Sequence, residues 1–257
     1  MRASQAVSAD DGNQELKLVS KISIRPSDCV FVLTGAGISA ESGLPTFRAS
    51  DGLWAGHRVE DVCTPEALEQ NPELVWQFYS ERREQGARAN PNSAHIALAE
   101  LEQQLGDRFF LCTQNVDDLH ERAGSRRLVH MHGELTKSRC SEECGQAPVE
   151  DRRVYKSLSE VGRCTCGAWL RPHIVFFGEI PLDMGMIQRE IDRATLMIVV
   201  GTSGSVYPAA SFVHWARQKG ARTVYIGPEP PLNAQAFTNV VEGKAGEVMP
   251  GLFEVES

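Results

Sequence analysis

Asp28-Cys-Val-Phe-Val-Leu-Thr-Gly-Ala-Gly-Ile-Ser-Ala40 decides the fold. Its first half is short, mostly apolar and rich in β-branched residues, and it runs straight into Gly35-Ala36-Gly37. Such a run reads as a buried strand entering a tight turn. The turn itself matches G-x-G-x-x-G/A. In that pattern the first glycine permits the bend and the second lets the backbone approach a pyrophosphate. The small third position lets a helix pack close with its N-terminus facing the anion. A sharp strand-to-helix turn without a ligand would look the same. No clear acidic residue follows a strand about 20 residues later, which weakens a routine dehydrogenase reading.

Similar apolar runs recur at Arg108-Phe-Phe-Leu-Cys112, Thr195-Leu-Met-Ile-Val-Val200 and Arg222-Thr-Val-Tyr-Ile226. Helical patterns lie between them. Ser93 to Leu105 carries Ile96, Leu98, Leu101 and Leu105, with Gly106 as a stop. Pro208 to Lys219 opens on proline and closes at Gly220, which predicts a helix with Pro208 as its first residue. Strands apolar on both faces, alternating with helices, predict an α/β fold: a Rossmann-like, doubly wound parallel sheet. Residues 21–134 and 177–257 are assigned to it, with a helical insertion at about 41–92. Residues 135–176 are assigned to a small zinc-binding module, and residues 1–20 to a flexible arm.

A chain of 257 residues with 42% hydrophobic content can bury one large α/β core. The formal net charge of −8 argues against nucleic acid as the main partner, since phosphate binding needs a basic face. No apolar run reaches the roughly 20 residues that span a bilayer. The stretch MRASQAVSADDGNQELK has no apolar segment of the kind that marks a secretory signal. Seven cysteines without an export signal favour metal binding or reduced thiols over a disulfide framework. The expectation is a cytoplasmic monomer with neither nucleic acid nor membrane as partner.

Cys140, Cys144, Cys164 and Cys166 form a C-x3-C pair and a C-x-C pair with glycines close by. Four thiolates closing a tetrahedron make a structural zinc site, although C-x2-C spacings are commoner; buried thiols are the alternative. Cys29, Cys63 and Cys112 read as core residues. Thr113-Gln114-Asn115-Val116-Asp117-Asp118 follows one strand, and Gly201-Thr202-Ser203 another. Carboxyl ends of strands carry the ligand site in open α/β sheets, and amides and carboxylates there suit a ribose or a carboxamide, though they also suit an ordinary polar turn. His130-Met-His132 follows a strand-like Arg127 to Val129, so both rings are expected on one face, with His132 the candidate general base.

Together these residues resemble the sirtuin family. The resemblance runs from about residue 28 to the C-terminus. It is carried in family order by Gly35-Ala-Gly-Ile-Ser-Ala-Glu-Ser-Gly43, Pro45-Thr-Phe-Arg48, Thr113-Gln-Asn-Val-Asp117, His132-Gly133, Phe176-Phe-Gly-Glu179 and Gly201-Thr-Ser203. It implies NAD as co-substrate, a structural Zn2+, acylated lysine peptides or proteins as partners, and transfer of the acyl group to ADP-ribose with release of nicotinamide. It also implies roles. Gly35, Ala36, Gly37, Ser39, Thr46, Phe47, Arg48 and Trp54 would hold the pyrophosphate and nicotinamide-ribose half. Gln114, Asn115, Val116 and Asp117 would bind ribose and nicotinamide, with His132 as base and Asn115 beside it. Gly201, Thr202, Ser203, Gly227, Pro228, Glu229 and Ala245 would meet the adenosine half. Phe177, Gly178, Glu179 and Val206 would frame an extended peptide by strand addition.

Tyr79-Ser-Glu-Arg82 resembles the Tyr-x-x-Arg of class III sirtuins, which remove succinyl and malonyl groups. A three-residue spacing puts both side chains on one helix face, and arginine can pair bidentately with a distal carboxylate. An ordinary charged helix surface is the alternative reading of Ser80 to Glu84. Family members commonly carry Asn-x-Glu after the last strand; here the run is Gly227-Pro228-Glu229, which removes one side-chain contact to adenosine. The competing functions are NAD-dependent protein mono-ADP-ribosylation, an NAD(P) oxidoreductase, and a zinc-held binding module without catalysis.

Overall fold

The structure, a computed structural model, describes residues 21–46 and 52–256. The expected arm at 1–20 and the site candidates Phe47 and Arg48 lie outside the described residues. Nine strands position the site: β1 (Val30–Thr34), β2 (Phe109–Thr113), β3 (Leu128–His130), β4 (Gly133–Cys140), β5 (Val149–Glu150), β6 (Leu170–Ile174), β7 (Leu196–Val200), β8 (Arg222–Gly227) and β9 (Asn239–Glu242). The longer helices are α1 (Pro72–Arg88), α2 (Ser93–Leu105), α3 (Met184–Arg193) and α4 (Ala209–Gln218).

Six strands form one parallel sheet in the order β9-β8-β7-β1-β2-β3. Every residue of β1 is buried. Val30 and Val32 face a core with Leu98, Leu101 and Ile198, while Phe31 and Leu33 face another with Ile187, Phe212 and Val213. Alternate side chains of one strand therefore feed two cores, which is why the sequence reads as an uninterrupted apolar run. After β1 the chain builds β2 and β3 on one side, then returns to build β7, β8 and β9 on the other. The order reverses between β1 and β7, where a doubly wound sheet opens its ligand crevice.

Helix α2 spans the residues its periodicity predicts. Asn92 caps it by accepting from the Ala94 N–H, and Gly106 follows it at φ 56°. Helix α4 begins one residue later than predicted: Pro208 occupies the cap position and Ala209 is the first helical residue. The stretch after β3 carries a three-stranded antiparallel sheet, β5-β4-β6, that sequence periodicity did not reveal. Arg83 of α1 ties this sheet to the helical insertion. It donates to the carbonyls of Leu135 (2.8 Å), Arg153 (2.9 Å) and Lys137 (3.1 Å), and pairs with the Asp151 carboxylate at 3.3 Å.

Candidate active site

The glycine turn and the turn after β7 are packed backbone to backbone. Gly35 N–H donates to Val200 O (3.0 Å) and Gly37 N–H to Gly201 O (2.8 Å). A Cβ on Gly37 would stand 2.7 Å from the Gly201 Cα and O, and Gly201 holds φ 63° against the Ile38 amide. Here Gly37 and Gly201 are needed so that two turns can meet, a demand separate from any approach to phosphate. The short helix Gly37–Ala40 that follows has no side-chain cap; its leading amides are held by backbone carbonyls, Gly37 N–H by Gly201 O, Ile38 N–H by Gly35 O (3.1 Å) and Ser39 N–H by Ala36 O (3.1 Å).

The predicted strand-end residues converge on this point. Asn115 Nδ2 donates to Ser39 Oγ (3.0 Å), and Ser39 Oγ donates to Asp117 Oδ2 (3.0 Å). Burial pushes the Asp117 carboxyl up, against the pull of its bonds from the Leu119 N–H and Ser39. Gln114 Nε2 donates to Thr202 Oγ1 (3.2 Å), joining the turn after β2 to the turn after β7. Beneath them Thr34 Oγ1 bonds Thr113 Oγ1 (2.8 Å), which in turn accepts the Asn115 N–H (3.0 Å).

His132 Nδ1 lies 3.1 Å from the Gln114 carbonyl. A carbonyl only accepts, so Nδ1 carries the hydrogen and Nε2 is left with its lone pair. Burial holds this imidazole below its usual pKa, partly opposed by the Gln114 bond, so at neutral pH it is an uncharged base. Gly133, at φ 86°, lets the chain turn directly after it against the His173 carbonyl. His130 does not share this face. Strand β3 stops at His130, so two-residue alternation no longer applies at 132, and His130 bonds Asn115 O (2.8 Å) and Glu121 Oε1 (2.8 Å) instead. Burial works against charge on His130, but the Glu121 carboxylate outweighs it and its pKa is raised.

The other predicted positions divide. Ala245 is buried at the start of the helix Ala245–Val248, whose Gly246 N–H donates to Glu41 Oε2 (2.7 Å) beyond the glycine turn. Pro228 and Glu229 are exposed beyond β8. Gly227 leaves room for the Tyr225 hydroxyl, which stands where a Cβ at 227 would go. Ser203 bonds Ser205 Oγ (2.6 Å), and Val206 O accepts the Ala210 N–H (2.8 Å). Thr46 is half-buried at the edge of the described residues. Val116 passes its carbonyl to the Leu135 N–H (2.8 Å), at the start of β4.

Trp54, expected at the cofactor, packs edge-on against Phe78 (5.1 Å) and Tyr79 (6.0 Å). Tyr79 and Arg82 share a buried face of α1, while Glu81 and Glu84 of the same charged run stay exposed. Glu179 bonds Arg171 (2.6 Å), Arg139 (3.1 Å) and the Phe176 N–H (2.7 Å). Burial raises its carboxyl, but Arg171 and the Phe176 N–H hold it below the ordinary range. Its side chain thereby fixes the loop that presents Phe177 and Gly178. The charge run of α1 gave no sign that Arg83 is buried, and nothing local in the sequence signals its partner Asp151.

The four cysteines of the β4 region come together. Cys140 and Cys166 sulfurs stand 3.5 Å apart and those of Cys144 and Cys164 3.6 Å, with all four ligand atoms within 4.8 Å of one another. Zinc–sulfur bonds of about 2.3 Å in a tetrahedron require sulfurs about 3.8 Å apart, so the set fits a structural zinc, unequal spacing notwithstanding. No helix among the described residues is long and apolar enough to cross a membrane.

Residues 35–208 match the Sir2 family. Over 223 residues the chain is 53% identical to the NAD-dependent protein deacylase of Salmonella typhimurium, covering 86% of this chain and 81% of that one. A solved Sir2 homologue–NAD complex superposes with a TM-score of 0.79 at 44% identity, covering 87% of each chain. A Sir2–p53 peptide–NAD+ structure gives 0.74 at 31% identity, over 86% of this chain and 90% of that one. Fold and similarity agree, and the chain belongs to the Sir2 family.

Proposed function

We propose that this crevice performs NAD-dependent deacylation of protein lysines, with a pocket suited to acidic acyl groups such as succinyl and malonyl. One observation carries the reading. His132 is tied through the Gln114 carbonyl to the loop whose side chains reach Ser39 and Thr202, so a neutral base and the glycine cradle belong to one array at the strand-order switch. NAD, when bound, supplies the ribose carbon at which nicotinamide is exchanged for the acyl oxygen.

This chain's residues do the rest. Gln114, Asn115 and Asp117 orient the ribose and carboxamide, while Gly35 to Ser39 and Thr46 to Arg48 hold the phosphates. Thr202, Ser203 and Ala245 flank the adenosine half. His132 Nε2 takes a proton from the ribose diol, so its oxygen can attack the acyl carbon. Phe177, Gly178 and Val206 frame the peptide backbone. The four thiolates with zinc brace the module beside it.

The acyl preference rests on Arg82. Its guanidinium is buried, lies 4.6 Å over the Phe78 ring, and leaves Nη1 without a hydrogen-bond partner among the described residues. Burial pulls its pKa down, opposed by Glu81. A carboxylate at the end of an acyl chain would satisfy that nitrogen. The test supplies NAD with acetyl, succinyl and malonyl forms of one peptide and measures free lysine. Arg82→Met is expected to cut desuccinylation roughly 10–150-fold more than deacetylation, the value of a charge-assisted bond of about 1.5–3 kcal/mol. Equal losses on both would remove Arg82 from the pocket.

A further inference from the structure

Cys63 follows the short helix Val59–Val62 and is buried. Its Sγ accepts the Tyr79 hydroxyl at 3.2 Å, and its carbonyl accepts the Phe177 N–H at 2.9 Å. Tyr79 is itself fully buried, stacked on Phe176 with ring centres 6.0 Å apart. Its one hydroxyl hydrogen therefore has a single acceptor among the described residues, and that acceptor is a thiol. Burial pushes the Cys63 thiol up to about 11, so the sulfur is uncharged at neutral pH. Neutral sulfur is a weak acceptor, whereas a carboxylate oxygen makes the strong, charge-assisted kind of hydrogen bond.

We propose that Cys63 is a specificity-determining residue, which holds the Tyr79 hydroxyl on a weak acceptor that the carboxylate of an acidic acyl chain displaces. This rests on the reading of Tyr79 and Arg82 as the acyl pocket. The exchange turns the hydroxyl hydrogen about the Tyr79 C–O bond. The hydrogen turns from Sγ to the carboxylate, no covalent bond is made or broken, and the thiol stays protonated. A stronger acceptor at position 63 would compete with the substrate. With no acceptor there, the hydroxyl would wait unpaired for it.

The test measures kcat and KM with succinyl and acetyl forms of one peptide for the unmodified protein, Cys63→Ser, Cys63→Ala and Arg82→Met. In Cys63→Ser the hydroxyl oxygen keeps the Tyr79 hydrogen, and the succinyl-to-acetyl KM ratio is expected to rise roughly 3–10-fold, the worth of one ordinary hydrogen bond. In Cys63→Ala that ratio should fall below the unmodified value. A ratio that stays constant across alanine, cysteine and serine overturns the proposal. General loosening of the fold would lower turnover on both peptides without ordering the ratio in this way. If Cys63→Ser fails to fold, Cys63→Ala decides alone. If Arg82→Met weakens both substrates equally, the pocket reading itself has failed. If Arg82→Met is selective while the Cys63 series is flat, only the role of Cys63 is lost.

Discussion

At position 132 a single backbone carbonyl selects the basic nitrogen. Because Gln114 O takes the Nδ1 hydrogen, Nε2 is the atom that can receive a proton. His132→Ala should lose about 10²–10⁴-fold in kcat, the usual worth of a positioned base, with circular dichroism unchanged. The acid limb of kcat/KM should have its midpoint below the ordinary 6.5, since burial depresses this imidazole. A midpoint at or above 6.5 would point to another group, the raised His130 above all. His132, Asn115 and Gln114 were legible in sequence because each follows a strand whose apolar run is unmistakable. The bond from Asn115 to Ser39 was not, since it joins residues 76 positions apart that only the sheet register brings together. Nor was the different facing of His130 and His132, which depends on where β3 stops.

The elements of the sheet announced themselves because both faces are buried, whereas β4 to β6 did not. Strand β4 reads Gly-Glu-Leu-Thr-Lys-Ser-Arg-Cys, with charges interleaved among its buried positions, and its apolar content is too low for periodicity to show. The link between that sheet and α1 was hidden for the same reason: Arg83 sits in the run Glu81-Arg-Arg-Glu84, which resembles a solvated helix face. In the fold Arg83 and Asp151 have side chains only 2% and 0% exposed. Asp151 also receives bonds from Ser138 (2.6 Å) and Tyr155 (2.8 Å), and its pKa is held at about 2 despite burial, chiefly by Arg153, Ser138 and Arg83. Arg83→Met keeps the stem but removes one charge partner of Asp151, leaving Arg153, Ser138 and Tyr155, and takes the donor from the carbonyls of Leu135, Lys137 and Arg153, a loss of up to about 3–5 kcal/mol. Urea unfolding should register that loss, and pairing it with Asp151→Asn should recover part of it. A change under about 1 kcal/mol would mean that the sheet does not depend on α1 for its docking.

Across the whole molecule the buried imidazoles set how the fold meets acid. His95 and His120 are fully buried with ring centres 4.9 Å apart, and His173 is a buried residue of β6, the strand paired to β4. Burial pulls His95 and His173 down to about 4, with Arg139 adding to the effect at His173; burial and the neighbouring His95 and His130 hold His120 well below its usual value. In the unfolded chain each would titrate near 6.5. Between pH 6.5 and about 4 the unfolded state therefore binds more protons than the folded one. Stability must fall as pH falls through that window. His130 acts the other way, because its raised pKa makes its contribution complete below 6.5, and so does the raised carboxyl of Asp117; four lowered imidazoles, His132 among them, stand against these two groups. The carboxylate of Asp151 adds its own loss only lower, between 3.8 and about 2. Urea midpoints should thus drop steadily from pH 7 to pH 4.5, before the depressed carboxylate of Asp151 contributes. Counting bound zinc in the same samples separates this from release of metal by the four thiolates. A midpoint that is flat over that range while zinc is retained would show that these imidazoles are not held neutral by the core.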